Sequence, residues 1–345
     1  MRRLEDLVRP NILRLKPYSS ARDEFHGKAS VFLDANENPW NAPYNRYPDP
    51  MQWQVKDRIA ELKGVDRDCI FLGNGSDEAI DLILRAFCEP RKDNMVTITP
   101  SYGMYEVAAA VNEVDCRKVL LDDRFDLDEK AVLGATDERT KVIFLCSPNN
   151  PTGNNLDREA IYTLLRRFDG MVVVDEAYID FSSHPSFVRE LSEFPNMIVL
   201  QTLSKAWGAA GIRLGMAFAS PEIIRIFNKI KYPYNVNQLT QEKALALLNE
   251  VERKERQVHD ILTERDRLEH VLVKPPFSYK VYPSDANFLL VNVKEPDRLY
   301  EGLVRKGVVV RNRNYVQKCL GCLRITIGSP TENDILIREM KDLIL

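Results

Sequence analysis

The sequence lacks any marked excess of basic residues. Its 48 lysines and arginines are offset by 51 aspartates and glutamates, which leaves a formal net charge of −3. Proteins that are held to the phosphate backbone of a nucleic acid need a cationic surface. The composition therefore argues against a nucleic-acid partner.

Long apolar runs are also missing. No run approaches the ~20 residues that a membrane-spanning helix requires, and the N-terminal MRRLEDLVRPNI mixes charges with a proline where a signal peptide would have an apolar core. We therefore expect a soluble, cytoplasmic protein without a membrane partner. With 345 residues, of which 44% are hydrophobic, the chain is long enough for about two domains.

Histidine and cysteine are scarce, with four and six residues. Several cysteines lie in apolar runs such as KVIFLC, where a reduced thiol behaves as a small hydrophobic group. Cys319 and Cys322 have a metal-like spacing, but neither a second such pair nor a nearby histidine accompanies them. The sequence thus implies no disulfide and predicts no metal site.

Short apolar runs alternate with amphipathic segments between Cys69 and Ala219. The runs are CIFL, MVTIT, RKVLL, KVIFLC, MVVV, MIVLQTL and LGMAFA. Continuously apolar strands separated by helices are typical of a mainly parallel sheet with helices on both faces, so the sequence predicts a doubly wound α/β domain. Ligands bind such sheets at the carboxyl ends of the strands. The residues that follow each run are therefore the candidates for function.

The pattern changes after Gln238. Some thirty residues carry apolar side chains at helical spacing between many charges, which predicts one long helix. Beyond it, short apolar runs alternate with two helical segments and predict a smaller α+β unit. The chain is accordingly divided into an N-terminal segment over 1–48, expected to run over the surface or over a partner, a large α/β domain over 49–240 and a small domain over 241–345.

Two strand ends are followed by loops suited to a polar ligand. In LGNGSDEAIDLIL, Gly75 permits a tight turn, and a helix that starts near Ser76 and Asp77 offers free N–H groups to a phosphate. An ordinary capped turn is the simpler alternative at this position. In CSPNNPTGNNL, two prolines and a glycine fix an irregular loop that presents hydrogen-bonding amides, among them Asn150.

Two further strand ends carry charged residues. Four apolar residues lead directly to Asp175, whose carboxylate would need a cation or several donors at the end of a buried strand; a helix-capping role is the alternative. We expect Glu176 to turn outward and Tyr178 to return to the side of Asp175. Lys205 follows another apolar strand, with Arg213 eight positions on. Desolvation and nearby positive charge favour its neutral form, which can form a Schiff base, although a solvated loop lysine would explain the residue alone.

Together these features describe a pocket for pyridoxal 5'-phosphate. Lys205 would form a Schiff base with the cofactor, and Asp175 would keep the pyridine nitrogen protonated. Ser204, Arg213 and the backbone amides of residues 75–77 would bind the phosphate.

The sequence carries, in order, GNGSDEAI, PSYGMY, SPNNPTG, DEAY, SKAWGAAGIRLG and LRITIG. Over nearly its whole length it thereby resembles the fold type I pyridoxal-phosphate aminotransferases of class I and II. The resemblance implies that Lys205 binds the cofactor and moves the proton of the reaction. It also implies the remaining cofactor contacts: Asp175 at the pyridine nitrogen, Asn150 and Tyr178 at the phenolic oxygen, Tyr102 stacked on the ring, and Thr202, Ser204, Arg213 and the backbone of Gly75, Ser76 and Asp77 at the phosphate.

Within that group, the segments KPYSSARDE, LDANENP and NRYPDP resemble the histidinol-phosphate aminotransferases. This resemblance implies a homodimer in which Tyr47 reaches the cofactor phosphate of the neighbouring subunit. It also implies that Arg311 and Arg324 hold the anionic end of the substrate and that Tyr18 and Asn36 line the entrance. The implied substrates are histidinol phosphate and, in the second half-reaction, glutamate or 2-oxoglutarate, within histidine biosynthesis.

Three other functions stay open at this level. A threonine-phosphate decarboxylase and an aromatic amino acid aminotransferase are related enzymes, and the sequence shows poorly which bond at the substrate α-carbon would break. A non-catalytic pyridoxal-phosphate-binding module is a more remote alternative. Such a module could lose the lysine, the arginines or the dimer tyrosine, and this sequence retains all of them.

Overall fold

The computed structural model of the protein describes residues 2–18 and 30–344. Its central feature is a seven-stranded sheet with the strand order β1-β7-β6-β5-β4-β2-β3. The strands are β1 (Ile70–Asn74), β2 (Asn94–Thr99), β3 (Asp115–Leu120), β4 (Thr140–Cys146), β5 (Met171–Asp175), β6 (Met197–Thr202) and β7 (Leu214–Phe218).

The sheet is mainly parallel, as the sequence predicted. The pairs β2–β3, β2–β4, β4–β5 and β5–β6 are parallel, whereas β7 runs antiparallel to both β6 and β1. Successive side chains of a strand point to opposite faces. In β5, Val172 and Val174 join one hydrophobic cluster while Val173 joins another, so both faces of the sheet are covered.

Helices cover both faces of this sheet. They are α1 (Leu4–Leu7), α2 (Pro10–Arg14), α3 (Trp53–Lys63), α4 (Ser76–Phe87), α5 (Met104–Val111), α6 (Glu129–Gly134), α7 (Arg158–Arg167) and α8 (Pro221–Ile230). The local sequence fixes several of their starts. Asp128 and Asp157 accept backbone hydrogen bonds at the N-termini of α6 and α7, and such caps satisfy N–H groups that lack a partner within the helix.

The prediction of one long helix after Gln238 is wrong. The segment forms α9 (Gln238–Leu248) and α10 (Val251–Leu272), with Asn249 and Glu250 between them. The two helices pack against different parts of the protein. In α9, Gln241 donates a hydrogen bond to the backbone carbonyl of Asp49, whereas Leu268 of α10 joins the core of the second sheet.

The C-terminal part of the chain is the smaller α+β unit that the sequence predicted. Its antiparallel sheet has the order β10-β11-β9-β8. The elements are β8 (Lys280–Val281), β9 (Phe288–Asn292), α11 (Pro296–Arg305), β10 (Arg311–Asn312), β11 (Cys322–Thr326) and α12 (Pro330–Ile344). Cys319 and Cys322 are free thiols buried in the protein core.

The segment from residue 30 to residue 52 runs largely over the surface, and Trp40 is 75% exposed. It contributes few side chains to the core, in keeping with its polar and proline-rich sequence. Among the residues that the structure describes, no helix is both long and apolar enough to cross a membrane.

Lys56 is an unusual core residue. It lies in α3 with 1% of its surface exposed, and its Nζ is 5.3 Å from the centroid of the Trp53 ring. Burial, reinforced by the positive charge of Lys231, lowers the pKa of Lys56 to about 8, although Asp49 and Asp68 oppose the shift. Such a lysine binds its proton more tightly in the unfolded chain. It therefore destabilises the fold at pH values below about 8, and this effect fades as the pH rises towards 10.

We predict that Lys56→Met raises the free energy of unfolding at pH 7 by up to about 3 kcal/mol, because the apolar side chain needs no desolvated charge. The gain should shrink between pH 8 and pH 10. Urea unfolding at several pH values measures it. Lys92→Met, at an exposed position, is the control and should change stability little. A destabilising effect of Lys56→Met at pH 7 would contradict this interpretation.

Candidate active site

A cavity of about 530 Å3 lies at the carboxyl ends of β4, β5 and β6. The last residue of each of these strands lines it, as expected for a sheet of this type. Most of the residues predicted to bind cofactor or substrate line the same cavity. They are Gly75, Ser76, Asp77, Tyr102, Asn150, Asp175, Tyr178, Thr202, Ser204, Lys205, Arg213, Arg311 and Arg324.

Asp175 is a buried carboxylate at the end of β5, with 2% of its surface exposed. It accepts a 2.6 Å hydrogen bond from the Tyr105 hydroxyl and a 3.1 Å bond from the Ala177 amide. Burial raises the pKa of Asp175 to about 6, and these two hydrogen bonds limit the rise. A cation placed beside the carboxylate would lower this pKa and hold Asp175 ionised.

Tyr105 is a site residue that the sequence analysis missed. Its ring stacks on Phe144 with the centroids 5.0 Å apart, and it meets Tyr102 edge to face at 5.5 Å. Tyr102 in turn donates a 3.0 Å hydrogen bond to Asp77. The motif PSYGMY carried a signal for Tyr105, because it lies three residues after Tyr102, a spacing that can return a side chain to the same side of a helix start.

Lys205 lies in the turn that follows β6. Its Nζ is 5.4 Å from the centroid of the Tyr178 ring. Burial and the positive charges of Arg324 and Arg213 hold the pKa of Lys205 below its ordinary value, while Asp175 opposes the shift. The amine is thereby biased towards its unprotonated, nucleophilic form.

Gly75, Asp77 and Arg213 meet where α4 begins. Gly75, at the N-cap of α4, has a φ of 73° and donates a 2.8 Å hydrogen bond to the backbone carbonyl of Arg213. A Cβ atom at Gly75 would lie 2.6 Å from Nη2 of Arg213, so only glycine leaves this guanidinium in place. Asp77 pairs with Arg213 at 3.7 Å, and the hydroxyl groups of Thr202 and Ser204 are 3.0 Å apart in the same cavity.

The loop after β4 places two adjacent amides in different environments. Asn149 is buried and ties neighbouring loops together through Pro100 and Thr152. Asn150 lines the cavity instead, where it donates a 3.4 Å hydrogen bond to the Tyr178 hydroxyl and accepts one from Arg324. Asn150 is therefore the amide available to a ligand.

The expectation that Glu176 turns outward is wrong. Its side chain is buried beneath the segment that follows β5. The carboxylate accepts hydrogen bonds from the Ser186 hydroxyl, the Phe187 amide and the Gln201 side chain. Glu176 thus anchors the chain directly after Asp175.

Arg313 is a second residue that the sequence analysis missed. It lines the cavity with Arg311 and Arg324, which face each other across β10 and β11. Alternate residues of an extended segment point to the same side. Because Arg313 lies two residues after Arg311, the sequence could have indicated that both side chains reach the same cavity.

Three predicted residues lie away from this cavity within one chain. Tyr18 is 73% exposed. Asn36 and Tyr47 line a separate cavity of about 480 Å3, where the Tyr47 ring stacks on Tyr234 with the centroids 4.4 Å apart.

We predict that Tyr105→Phe raises the pKa of Asp175 by about one unit in the cofactor-free protein, because it removes a hydrogen bond worth about 1.4 kcal/mol. The variant keeps the aromatic ring on Phe144. The carboxyl-carbon chemical shift of labelled aspartate, followed against pH, measures the change. Tyr102→Phe is the matched control, since that hydroxyl donates to Asp77. Equal shifts in both variants would rule out the assigned hydrogen bond.

Comparisons with known proteins identify the family. Residues 30–340 match the model of the aminotransferase class I and II family. The chain is 74% identical to the histidinol-phosphate aminotransferase of Parabacteroides distasonis over the full length of both chains, and 58% identical to that of Bacteroides thetaiotaomicron over 99% of each. The structure of the histidinol-phosphate aminotransferase from Clostridium acetobutylicum superposes with a TM-score of 0.80 at 25% identity, covering 87% of this chain and 91% of that one. The chain therefore belongs to the class I and II aminotransferases.

Proposed function

We propose that the protein is a pyridoxal-phosphate-dependent enzyme that transfers an amino group reversibly between L-histidinol phosphate and 2-oxoglutarate, in histidine biosynthesis. The observation that carries this proposal is the meeting, in one cavity, of a lysine with a lowered pKa, a buried carboxylate and four arginines. The high identity to full-length histidinol-phosphate aminotransferases supports the choice of substrate.

The residues that line the cavity fit pyridoxal phosphate. Asp175 offers a carboxylate to a protonated ring nitrogen, and Asn150 with Tyr178 offers donors to the phenolic oxygen. The N-terminus of α4 and Arg213 offer N–H groups to the phosphate. The absence of a side chain at Gly75 keeps this phosphate corner open.

Bound pyridoxal phosphate supplies an electron sink that weakens the bonds at the substrate α-carbon. The protein provides the proton transfer. Lys205 is desolvated and its pKa is lowered, so its amine can act as a general base that accepts the proton from the substrate α-carbon. The protonated amine can then act as a general acid and deliver this proton to a second atom of the reacting molecule. Asp175 would keep the pyridine nitrogen of the bound cofactor protonated, because a buried carboxylate is stabilised by a neighbouring cation.

Arginines bind the anionic end of each substrate. Arg324 is held by Asn150 and lies with its guanidinium 5.2 Å from the Phe288 ring centroid, while Arg311 stands opposite Arg324 on β10. Planar guanidinium groups suit a phosphate as well as a carboxylate. The same residues can therefore serve the histidinol phosphate and the glutamate half-reactions.

The enzyme acts as a cytoplasmic homodimer with shared active sites. Tyr47 lies outside the cavity of its own chain and half of its surface is exposed, so that a partner subunit can contact it. Tyr18 and Asn36 line the entrance to the substrate site in the dimer. The large domain over 49–240 binds the cofactor, the small domain over 241–345 supplies the arginines, and segment 1–48 packs on the small domain and the partner.

A substrate panel tests the activity. We expect the purified, cofactor-loaded protein to transaminate histidinol phosphate efficiently and phenylalanine poorly, and to release no carbon dioxide from phosphothreonine. Lys205→Ala is the control and should lower turnover by at least about 1,000-fold, because the general base is removed. Rapid decarboxylation of phosphothreonine, or a preference for phenylalanine, would replace the proposal with one of the related enzymes.

Mixing two inactive variants tests the shared site. In a heterodimer of a Lys205→Ala subunit and a Tyr47→Ala subunit, one site combines the intact lysine of the second subunit with the intact tyrosine of the first. We expect unfolding and refolding the two variants together to restore activity, because one site per heterodimer is complete. Each variant refolded alone is the control. Failure to regain activity despite heterodimer formation would show that Tyr47 acts within its own chain.

A further inference from the structure

Of the four arginines that line the cavity, the three that come from the C-terminal part of the chain form a cluster of positive charge. Arg311 and Arg324 are directly opposite each other in the register of β10 and β11, and Arg313 follows two residues after Arg311. Like charges directly opposite each other in a sheet are destabilising. Within residues 2–18 and 30–344, no carboxylate lies within ion-pair distance of any of the three guanidinium groups. Among the described residues, the cluster therefore has no counter-charge in contact with it.

Arg313 is the least satisfied of the three. Arg324 donates one hydrogen bond to Asn150, although its own Nε is buried without a partner among the described residues, and Arg311 is exposed to water. Arg313 is half-buried, and its Nε is buried without a hydrogen-bond partner in the described part of the chain. Burial and the charges of Arg324 and Arg311 lower the pKa of Arg313 to about 10. Buried donors without partners are rare and point to a ligand that completes them.

The backbone around Arg313 is fixed on both sides. The Asp297 carboxylate accepts hydrogen bonds from the side chains of Asn312 at 2.6 Å and Asn314 at 2.8 Å. The Arg313 amide itself donates a 2.9 Å bond to the carbonyl of Cys322. Because the chain is already held in place, little ordering is needed when an anion binds, which favours affinity.

We propose that Arg313 is a specificity-determining residue that binds the phosphate ester of the amine substrate together with Arg311 and Arg324. This inference rests on the proposed function, since it concerns the substrate site of that reaction. A phosphate monoester carries close to two negative charges at neutral pH and has three strong acceptor oxygens. A carboxylate carries one charge, and a single guanidinium can satisfy it in a bidentate manner. The third arginine therefore matters for the phosphate ester and adds little for glutamate.

The test compares Arg313→Gln with the parent enzyme in the two half-reactions, each followed by the absorbance of the bound cofactor. We expect the KM for histidinol phosphate to rise about 10- to 100-fold with kcat nearly unchanged, as for the loss of a hydrogen bond to a charged group. The KM for glutamate should change less than about threefold. Arg305→Gln removes an exposed arginine of the same small unit and is the matched control for net charge.

Inorganic phosphate provides a readout that does not depend on the amine substrate. The inhibition constant of phosphate against the glutamate half-reaction should rise in Arg313→Gln by about the same factor as the KM for histidinol phosphate. In Arg313→Lys, this constant should lie between the values of Arg313→Gln and the parent enzyme. Equal losses for both substrates, or an unchanged constant for phosphate, would overturn the inference. If the parent enzyme does not use histidinol phosphate, the proposed function fails, while phosphate inhibition still decides the role of Arg313.

Discussion

The burial of Asp175 and Lys205 is the constraint on which the site depends. Removing a charged group from water favours its neutral form, so the same burial raises the pKa of Asp175 and lowers that of Lys205. Only one of these two shifts suits the proposed reaction, because the lysine must be neutral and the aspartate ionised. The hydrogen bonds from Tyr105 and from the amide of Ala177 limit the rise in the pKa of Asp175, so that a neighbouring cation can keep the carboxylate ionised.

The sheet supplies the rigidity that this balance needs. The amide of Ser147 donates to the carbonyl of Asp175, and the amide of Glu176 donates to the carbonyl of Leu200, so neighbouring strands are tied together where the site begins. The buried carboxylate of Glu176 then holds the following segment through three donors. A buried carboxylate satisfied in this way cannot move without losing several hydrogen bonds. Asp175 is consequently presented in one orientation.

The parts of the site predicted from sequence were those that follow an apolar strand. Asp175 and Lys205 stood out because a charge at the end of a buried strand needs an explanation. Tyr105 and Arg313 were not predicted, because Tyr102 and Arg311, a few positions earlier in the sequence, already had the assigned roles. Glu176 was misplaced because its three donors come from Ser186, Phe187 and Gln201, which no local pattern connects to it.

The fold likewise divides into features that local sequence patterns predict and features that depend on distant contacts. Apolar runs separated by amphipathic ones were enough to predict a mainly parallel sheet, because both faces of such a sheet must be covered. The break at Asn249 and Glu250 was not predictable from periodicity, since the charges and apolar groups continue through it at helical spacing. The two helices also differ in their packing, because Ala244 and Leu248 of α9 join the core of the large sheet, whereas Leu268 and Leu272 of α10 join the core of the small sheet.

The two sheets supply different charged groups to the cavity. The large sheet provides the buried acid and Lys205, and the small sheet provides the arginines on β10, β11 and the chain between them. In the part of the chain that the structure describes, no ion pair joins Asp175 to a cation or these arginines to an anion, so neither group is electrostatically satisfied alone. A ligand that carries positive charge at its ring nitrogen and negative charge at its far end complements both sheets at once. The cavity is thus preorganised for a cofactor and an anionic amine bound side by side.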